Sequence, residues 1–291
     1  MNFKVIFKCM LLAGLPFLAA CNSDDTDLQM VQPLQLCVST GVSESRAVVD
    51  GWFLPEGGQL GVSLVAADGS AYDGKSYNNI PYTATGNGYD IPQTWSCTGS
   101  VVPSLSTTLG KAVAYYPYNE SVTDLTAIPI ETASQTDYMY SGWYSYLYYA
   151  TPKANLTMNH AMAVIKVVLP FDVIGDFTNV TQITLESDMF GTDGILNATD
   201  GSISSVNGKN TQLNFKHETG LNIYSTADGL VAEILVVPDV SVVSGYVNVQ
   251  VLLKDSEGYS DSYAIEYYPN HALMSGKKYT CRIYDNGGGI S

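Results

Sequence analysis

The chain has 291 residues, enough for one large domain or two of ordinary size after a leader. Hydrophobic residues at 46% and charged residues at 14% exclude a disordered chain, and a formal charge of −15 excludes nucleic acid as a partner, because it repels phosphate backbones. Twenty-one tyrosines with many Val, Ile and Thr favour strands over helices.

Lys4 and Lys8 open a basic segment, and Cys9 to Ala19 is apolar but too short and wrongly flanked for a membrane span. The small residues of Leu18-Ala19-Ala20 run straight into Cys21, the pattern of a bacterial lipobox. A thiol is needed there because the diacylglycerol is attached to sulfur through a thioether. After cleavage Cys21 becomes the amino terminus and can take a further acyl chain, and several chains anchor stably where one binds marginally. The acidic stretch Asn22 to Asp27 reads as a solvated linker, and also as the Ser/Asp-rich signal that sends some lipoproteins to the outer cell surface.

Leu28, Met30, Leu34, Leu36 and Val38 share one parity, with Gln29 and Gln35 on the other, so the segment predicts a strand with one buried face. Pro33 cannot donate to a ladder, which predicts an edge strand or two short halves. Ser39 to Ser45 reads as a polar loop open to proteolysis. Arg46 follows, one of only two arginines; the other, Arg282, falls in a predicted paired strand. Arg46 is thus either the single easy target of an Arg-specific protease or an ordinary surface charge.

Ala47 to Phe53, Gln59 to Ala66, Thr94 to Cys97 and Lys111 to Tyr118 predict strands, punctuated by turns at Pro55 to Gly58, Asp68-Gly69, Asp73-Gly74 and Gly86 to Gly88. Tyr138, Tyr140, Tyr144, Tyr146 and Tyr148 form a same-parity aromatic series that could pack on a core or a neighbour, or stack on sugar rings. A domain boundary is expected at Thr151-Pro152-Lys153. Beyond it come the apolar run Met158 to Leu169, a strand at Val180 to Leu185, an irregular Gly/Asp/Asn-rich stretch from Gly191 to Asn210, and strands at 213–215, 230–237, 245–253, 263–267 and 279–284. Short strands separated by turns predict β-sandwiches, and the length predicts two.

No residue constellation for catalysis is present: His160, His217 and His271 are far apart, and there is no nucleophile elbow, phosphate loop or dinucleotide fingerprint. No cofactor or metal is expected, and Asp193 to Gly208 does not match an EF-hand loop. Cys37, Cys97 and Cys281 remain once Cys9 in the leader and the lipid site Cys21 are set aside, an odd number; a Cys97–Cys281 bridge and small buried side chains are both open readings.

Several stretches together resemble the fimbrillin-type, or type V, pilins of Gram-negative gut and oral anaerobes: Leu18 to Cys21, Ser45-Arg46-Ala47, Gln59 to Val62, Ala112 to Tyr118, Asn159 to Val167, Leu235 to Pro238 and Leu273 to Tyr279. The resemblance implies an all-β chain with two transthyretin-like β-sandwich domains in tandem after a lipoprotein signal peptide. The expected divisions are 1–20 signal peptide, 21–46 lipidated propeptide, 47–152 first domain and 153–291 second domain. It implies lipidation at Cys21, outer-membrane attachment, and a cut by an Arg-specific protease between Arg46 and Ala47. Loss of the strand from Leu28 to Val38 would open a groove for a strand of another fimbrial subunit, building a cell-surface fimbrium for adhesion. Stalk pilins of the family carry a carboxy-terminal donor arm, whereas only Asp285 to Ser291 follows the last predicted strand here, so either Tyr279 to Tyr284 is the donor or the subunit donates nothing and sits at a tip or accessory position. The alternative is a monomeric surface lipoprotein that binds host or bacterial glycans through the tyrosine series, with Trp143 and Tyr146 the residues whose replacement would test it.

Overall fold

The computed structural model describes residues 34–43, 54, 57–85, 92–216 and 221–284. The expected strand at Ala47 to Phe53 lies outside the described residues.

Alternating small and apolar residues lay down the first sheet. Its strands run β10-β7-β3-β4-β5-β2-β11-β9: Tyr144–Leu147, Gly110–Tyr116, Gln59–Ala66, Tyr77–Thr85, Gln93–Cys97, Cys37–Val42, Lys153–His160 and Met139–Tyr140. β9 also pairs with β7, so the path returns on itself and the sheet closes into a ring. Closure removes the open edges a flat sheet would leave. Leu60, Val62 and Leu64 of β3, Ala112 and Ala114 of β7, and Ala154, Leu156 and Met158 of β11 fill the ring interior. A short ribbon stands beside it, β1 (Leu34–Gln35) against β6 (Ser104–Leu105).

The second body is a two-layer sandwich. One layer runs β14-β19-β12-β22: Phe190–Gly191, Gly229–Pro238, Ala163–Pro170 and Lys278–Arg282, with β18 (Ile223–Thr226) beside β19. The other runs β17-β13-β20-β21: Leu213–Lys216, Asn179–Glu186, Val247–Lys254 and Ser260–Tyr267. Between them Ile165, Val167, Ile183, Leu185, Ile234 and Val249 pack with no exposed surface. A single helical turn, α1 (Phe171–Ile174), follows β12 directly after Pro170. Pro170 fixes φ and cannot donate, which suits the start of a turn.

A third cluster joins the halves. β7 turns Ala112 and Ala114 into the ring and Val113 and Tyr115 outward, where they meet Val164, Leu235 and Val237. Strands buried on both faces read as continuous apolar runs, which is why Met158 to Leu169 lacks alternation. That run is two strands: β11 completes the first sheet and β12 starts the second, so the chain changes sheet at Ala161-Met162, a little beyond Thr151-Pro152-Lys153. The Gln135 side chain adds to the join: Nε2 donates to Leu235 O and Leu235 N donates to Oε1, both at 2.9 Å, so one amide stands in for a paired residue along β19.

The stretch from Gly191 to Asn210 is not an irregular loop. It forms a hairpin, β15 (Asp193–Leu196) with β16 (Ile203–Asn207), and β15 also pairs with β8 (Ile128–Glu131). Among the described residues no helix is long and apolar enough to cross a membrane.

Candidate functional site

Cys21, Leu28, Met30, Arg46 and Ala47 lie outside the described residues. Leu34, Leu36 and Val38 are described, and they do not share one fate. Leu34 sits in β1 and is 47% exposed, whereas Leu36 and Val38 are buried in the ring core. The expectation that all three face one core fails at Leu34 because the strand breaks at Leu36, between β1 and β2. Past that break the buried parity continues as Leu36, Val38 and Thr40.

β2 also ends further along the chain, and is more enclosed, than the sequence predicts. It extends to Val42, through residues expected to form a loop. It is not an edge strand. Cys37 to Val42 pair in parallel with Lys153 to Met158 of β11, and Val38 to Thr40 pair antiparallel with Trp95 to Gln93 of β5. Further backbone bonds pin both ends: Leu36 N donates to Pro103 O at 2.9 Å, Cys37 N to Pro152 O at 2.9 Å, and Ser43 N to Met158 O at 2.8 Å.

The polar side chains of β2 have partners, so their burial is not a defect. Trp95 Nε1 donates to Thr40 Oγ1 at 2.9 Å, and Ser39 Oγ donates to Asn155 Oδ1 at 2.6 Å. The Tyr82 hydroxyl donates to Leu36 O at 3.2 Å, and burial pushes its pKa well above the usual tyrosine value, with the Cys97 and Cys37 thiols adding to the shift. A buried polar group that keeps its hydrogen bond costs little; one that loses it costs about 1–3 kcal/mol.

This arrangement makes β2 one stave of the ring. Without it, β11 between Lys153 and Met158 loses its ladder partner and β5 loses the same along Gln93 to Trp95. The interior would expose the places of Leu36 and Val38, worth about 3–6 kcal/mol together at ~1.5–3 kcal/mol per buried aliphatic side chain. The position that β2 fills has a defined chemistry: two facing backbone edges, two apolar sockets, and an indole N–H that requires an acceptor.

Arg282 lies on β22, paired in parallel with Val168 of β12. The tyrosine series does not form one stripe. Tyr138 and Tyr140 pack against the shared cluster and Tyr144 against the ring core, while Tyr146 adopts φ +66° and stands 79% exposed. Trp143 is 40% exposed, with Lys111 Nζ 4.7 Å from its ring centroid. His160 is buried and its Nδ1 lies 2.8 Å from Asp137 Oδ2, a structural pair. Cys97 belongs to the first body, while Cys281 is fully buried in the second core with its thiol pushed up to about 12 by burial; both are free, so no bridge joins them. Among the described residues no group of three or more His, Cys, Asp or Glu could hold a metal ion.

The fimbrillin-like family model matches residues 45–288. A comparison with curated proteins finds no match. Among solved structures, a candidate cell adhesion protein of Bacteroides uniformis superposes with a TM-score of 0.61 at 18% identity, covering 90% of this chain and 95% of that one. A candidate cell adhesion protein of Bacteroides ovatus gives 0.59 at 18% identity, with 89% and 95% covered. At this identity the two likenesses establish the shared fold.

Proposed function

The chain belongs to the fimbrillin-like family, and we propose that it is a fimbrial subunit whose β2 is a temporary stave, replaced during assembly by a strand of another subunit. In this reading the precursor is exported as a lipoprotein on Cys21, held at the outer membrane, and cut after Arg46 by an Arg-specific protease. The mature subunit then joins a cell-surface fimbrium used for adhesion.

The observation that carries the reading is the place of β2. It comes from sequence ahead of the family match, which starts at residue 45, yet it supplies a whole stave of the first ring. Strand addition to such a slot regains two backbone ladders and two apolar sockets at once. Being held on both edges, β2 does not leave unaided after the cut. An incoming strand takes over its ladder bonds one after another, so exchange is slow and the joint durable. Donation of β22 by this chain would uncover Tyr279, Cys281 and Ile283, all buried in its own core, which favours a subunit that accepts a strand without giving one. In this reading it takes a tip or accessory position.

The test is limited proteolysis of the purified precursor with a trace of Arg-specific protease, read by mass spectrometry. The expected product begins at Ala47 and, on longer incubation with a synthetic peptide spanning residues 34–43, exchanges its own β2 for the labelled copy. A chain cut elsewhere first, or an Arg46 bond that resists, overturns the proteolytic half. Cut chain that never takes up the peptide overturns the exchange half.

The second reading, a monomeric surface lipoprotein that binds glycans, is favoured by the exposed Tyr146 and by the exposed Trp143, whose ring faces Lys111. Its test is glycan-array binding that disappears on replacing Trp143 and Tyr146.

A further inference from the structure

The loop that leaves β7 is held from beneath by a buried tyrosine, Tyr115, and by Asn79. Gly61 of β3 lies opposite Tyr115 in the ladder, and a Cβ at Gly61 would overlap the Tyr115 ring. The glycine therefore lets that ring lie across β3 with its hydroxyl under the loop. There the hydroxyl accepts from Asn119 N at 2.9 Å and sits 3.0 Å from both Asn79 Oδ1 and Asn119 O. Asn79 Nδ2 donates to Asn119 O and Val122 O at 2.9 and 2.8 Å, and Tyr118 N donates to Gln59 O at 2.9 Å. Asn119 Oδ1 in turn accepts from Ser121 N and Oγ. The backbone of the loop is thus fixed before any ligand arrives.

This fixed loop borders a cavity of about 450 Å³, floored by Tyr115 and Ile128 and flanked by Tyr118, Tyr138, Asn119 and Glu120. The volume falls within the range of small-molecule sites, about 300–1,000 Å³. Three polar groups at its border make no hydrogen bond among the described residues: the Asn119 Nδ2 amide, the Glu120 carboxylate and the Tyr118 hydroxyl. They are respectively a donor, an acceptor and both. Among the described residues no Lys, Arg or His lines the cavity, so they offer no counter-ion for an acidic ligand. An ammonium group would use the carboxylate and the aromatic faces but leave the Asn119 amide idle. A neutral sugar ring uses everything present: its apolar C–H face lies on tyrosine, and its neighbouring hydroxyls match a donor beside an acceptor. We propose that this cavity binds one neutral pyranose residue of a glycan, stacked on Tyr118 or Tyr138 and hydrogen-bonded by Asn119 and Glu120.

None of the lining residues belongs to β2, β5 or β11, so the site stands apart from the strand slot, and its test uses the uncut chain. The probes are methyl β-D-galactopyranoside, methyl β-D-glucopyranoside and methyl α-D-mannopyranoside, followed by saturation-transfer NMR. Glucuronic acid, sialic acid and an acetyl-lysine methyl ester serve as charged comparators. At least one neutral glycoside is expected to bind better than every comparator. Tyr118→Ala and Glu120→Gln should each weaken it about fivefold, the scale of one aromatic contact or one hydrogen bond, while Trp143→Ala should leave it unchanged. Glu120→Gln alters one exposed side chain and keeps the fold, so it remains decisive if Tyr118→Ala folds poorly. The proposal is overturned if no neutral glycoside binds, if a charged comparator binds better, if Glu120→Gln has no effect, or if Trp143→Ala abolishes binding.

Discussion

The two bodies of this molecule solve the same problem in different ways. The second body is built from one continuous stretch, β12 to β22, and both of its layers close over a core supplied by that stretch alone. The first body closes only because β2, drawn from ahead of the family-matched region, is laid between β5 and β11. A ring missing a stave has two raw edges, whereas a sandwich missing an edge strand has one. The difference teaches that the closure of the first body depends on a strand from outside the family-matched region, whereas that of the second does not.

The largest expected effect breaks the first body alone. Leu36→Asp places a carboxylate among Val38, Leu60 and Tyr82 and should cost more than ~4 kcal/mol. Hydrogen exchange read by mass spectrometry should show β3, β5 and β11 losing protection while β13 and β20 keep theirs. Equal loss in β13 and β20 would show that the shared cluster makes the two bodies melt as one. Ile165→Ala is the counterpart, a cavity in the sandwich core worth about 2–5 kcal/mol, and urea unfolding should show it exposing β13 and β20 first.

A smaller effect sharpens the picture of the stave itself. Thr40→Val keeps the shape but leaves Trp95 Nε1 without its acceptor, at about 1–3 kcal/mol. Trp95→Phe in the same chain should recover part of that loss, and a double-mutant cycle in urea measures the coupling. A synthetic strand carrying Val at this position should then enter the slot less readily than one carrying Thr.

The smallest effect separates the bodies by pH. Burial raises the Cys281 thiol from 9.0 to about 12 and the Tyr115 hydroxyl from 10.0 to about 12. Both groups stay neutral in the folded chain at pH values where the unfolded chain has already lost the proton. Their contribution is therefore complete below the unfolded values and is lost as pH rises through the folded ones. The decline begins near pH 9 at Cys281 in the sandwich and near pH 10 at Tyr115. Cys281→Ala should flatten the first part of the slope in urea unfolding followed across this range, and Tyr115→Phe the second.

Much of this architecture can be read from the residues. Gln59 to Ala66 is β3 to the residue, and β5, β7, β13, β19 and β20 lie where alternation and turn residues put them. The strand features that escape are those whose polar residues find partners only in the fold. Ser39 and Thr40 look like loop residues until Asn155 and Trp95 are beside them. The β15–β16 hairpin is hidden by Gly, Asp and Asn, which are poor strand formers in isolation but acceptable when β8 flanks one side. The sheet that β11 joins is not legible locally, because it alternates with Lys153, Asn155 and Thr157 outward as an ordinary half-buried strand would. The cavity beside Tyr118 was illegible for a different reason: its floor, wall and rim come from separate stretches that only the closed ring brings together.

The passage from β11 to β12 has a mechanical consequence. β11 runs parallel to the strand beside it and continues, across only Ala161-Met162, into β12, which is flanked on both sides by β19 and β22. Tension applied through that neighbouring strand loads the β2–β11 hydrogen bonds in shear, all stretching together rather than peeling apart singly. The load then passes into a strand clamped on both edges, so a filament made of such units would resist flow with the same bonds that hold each unit shut.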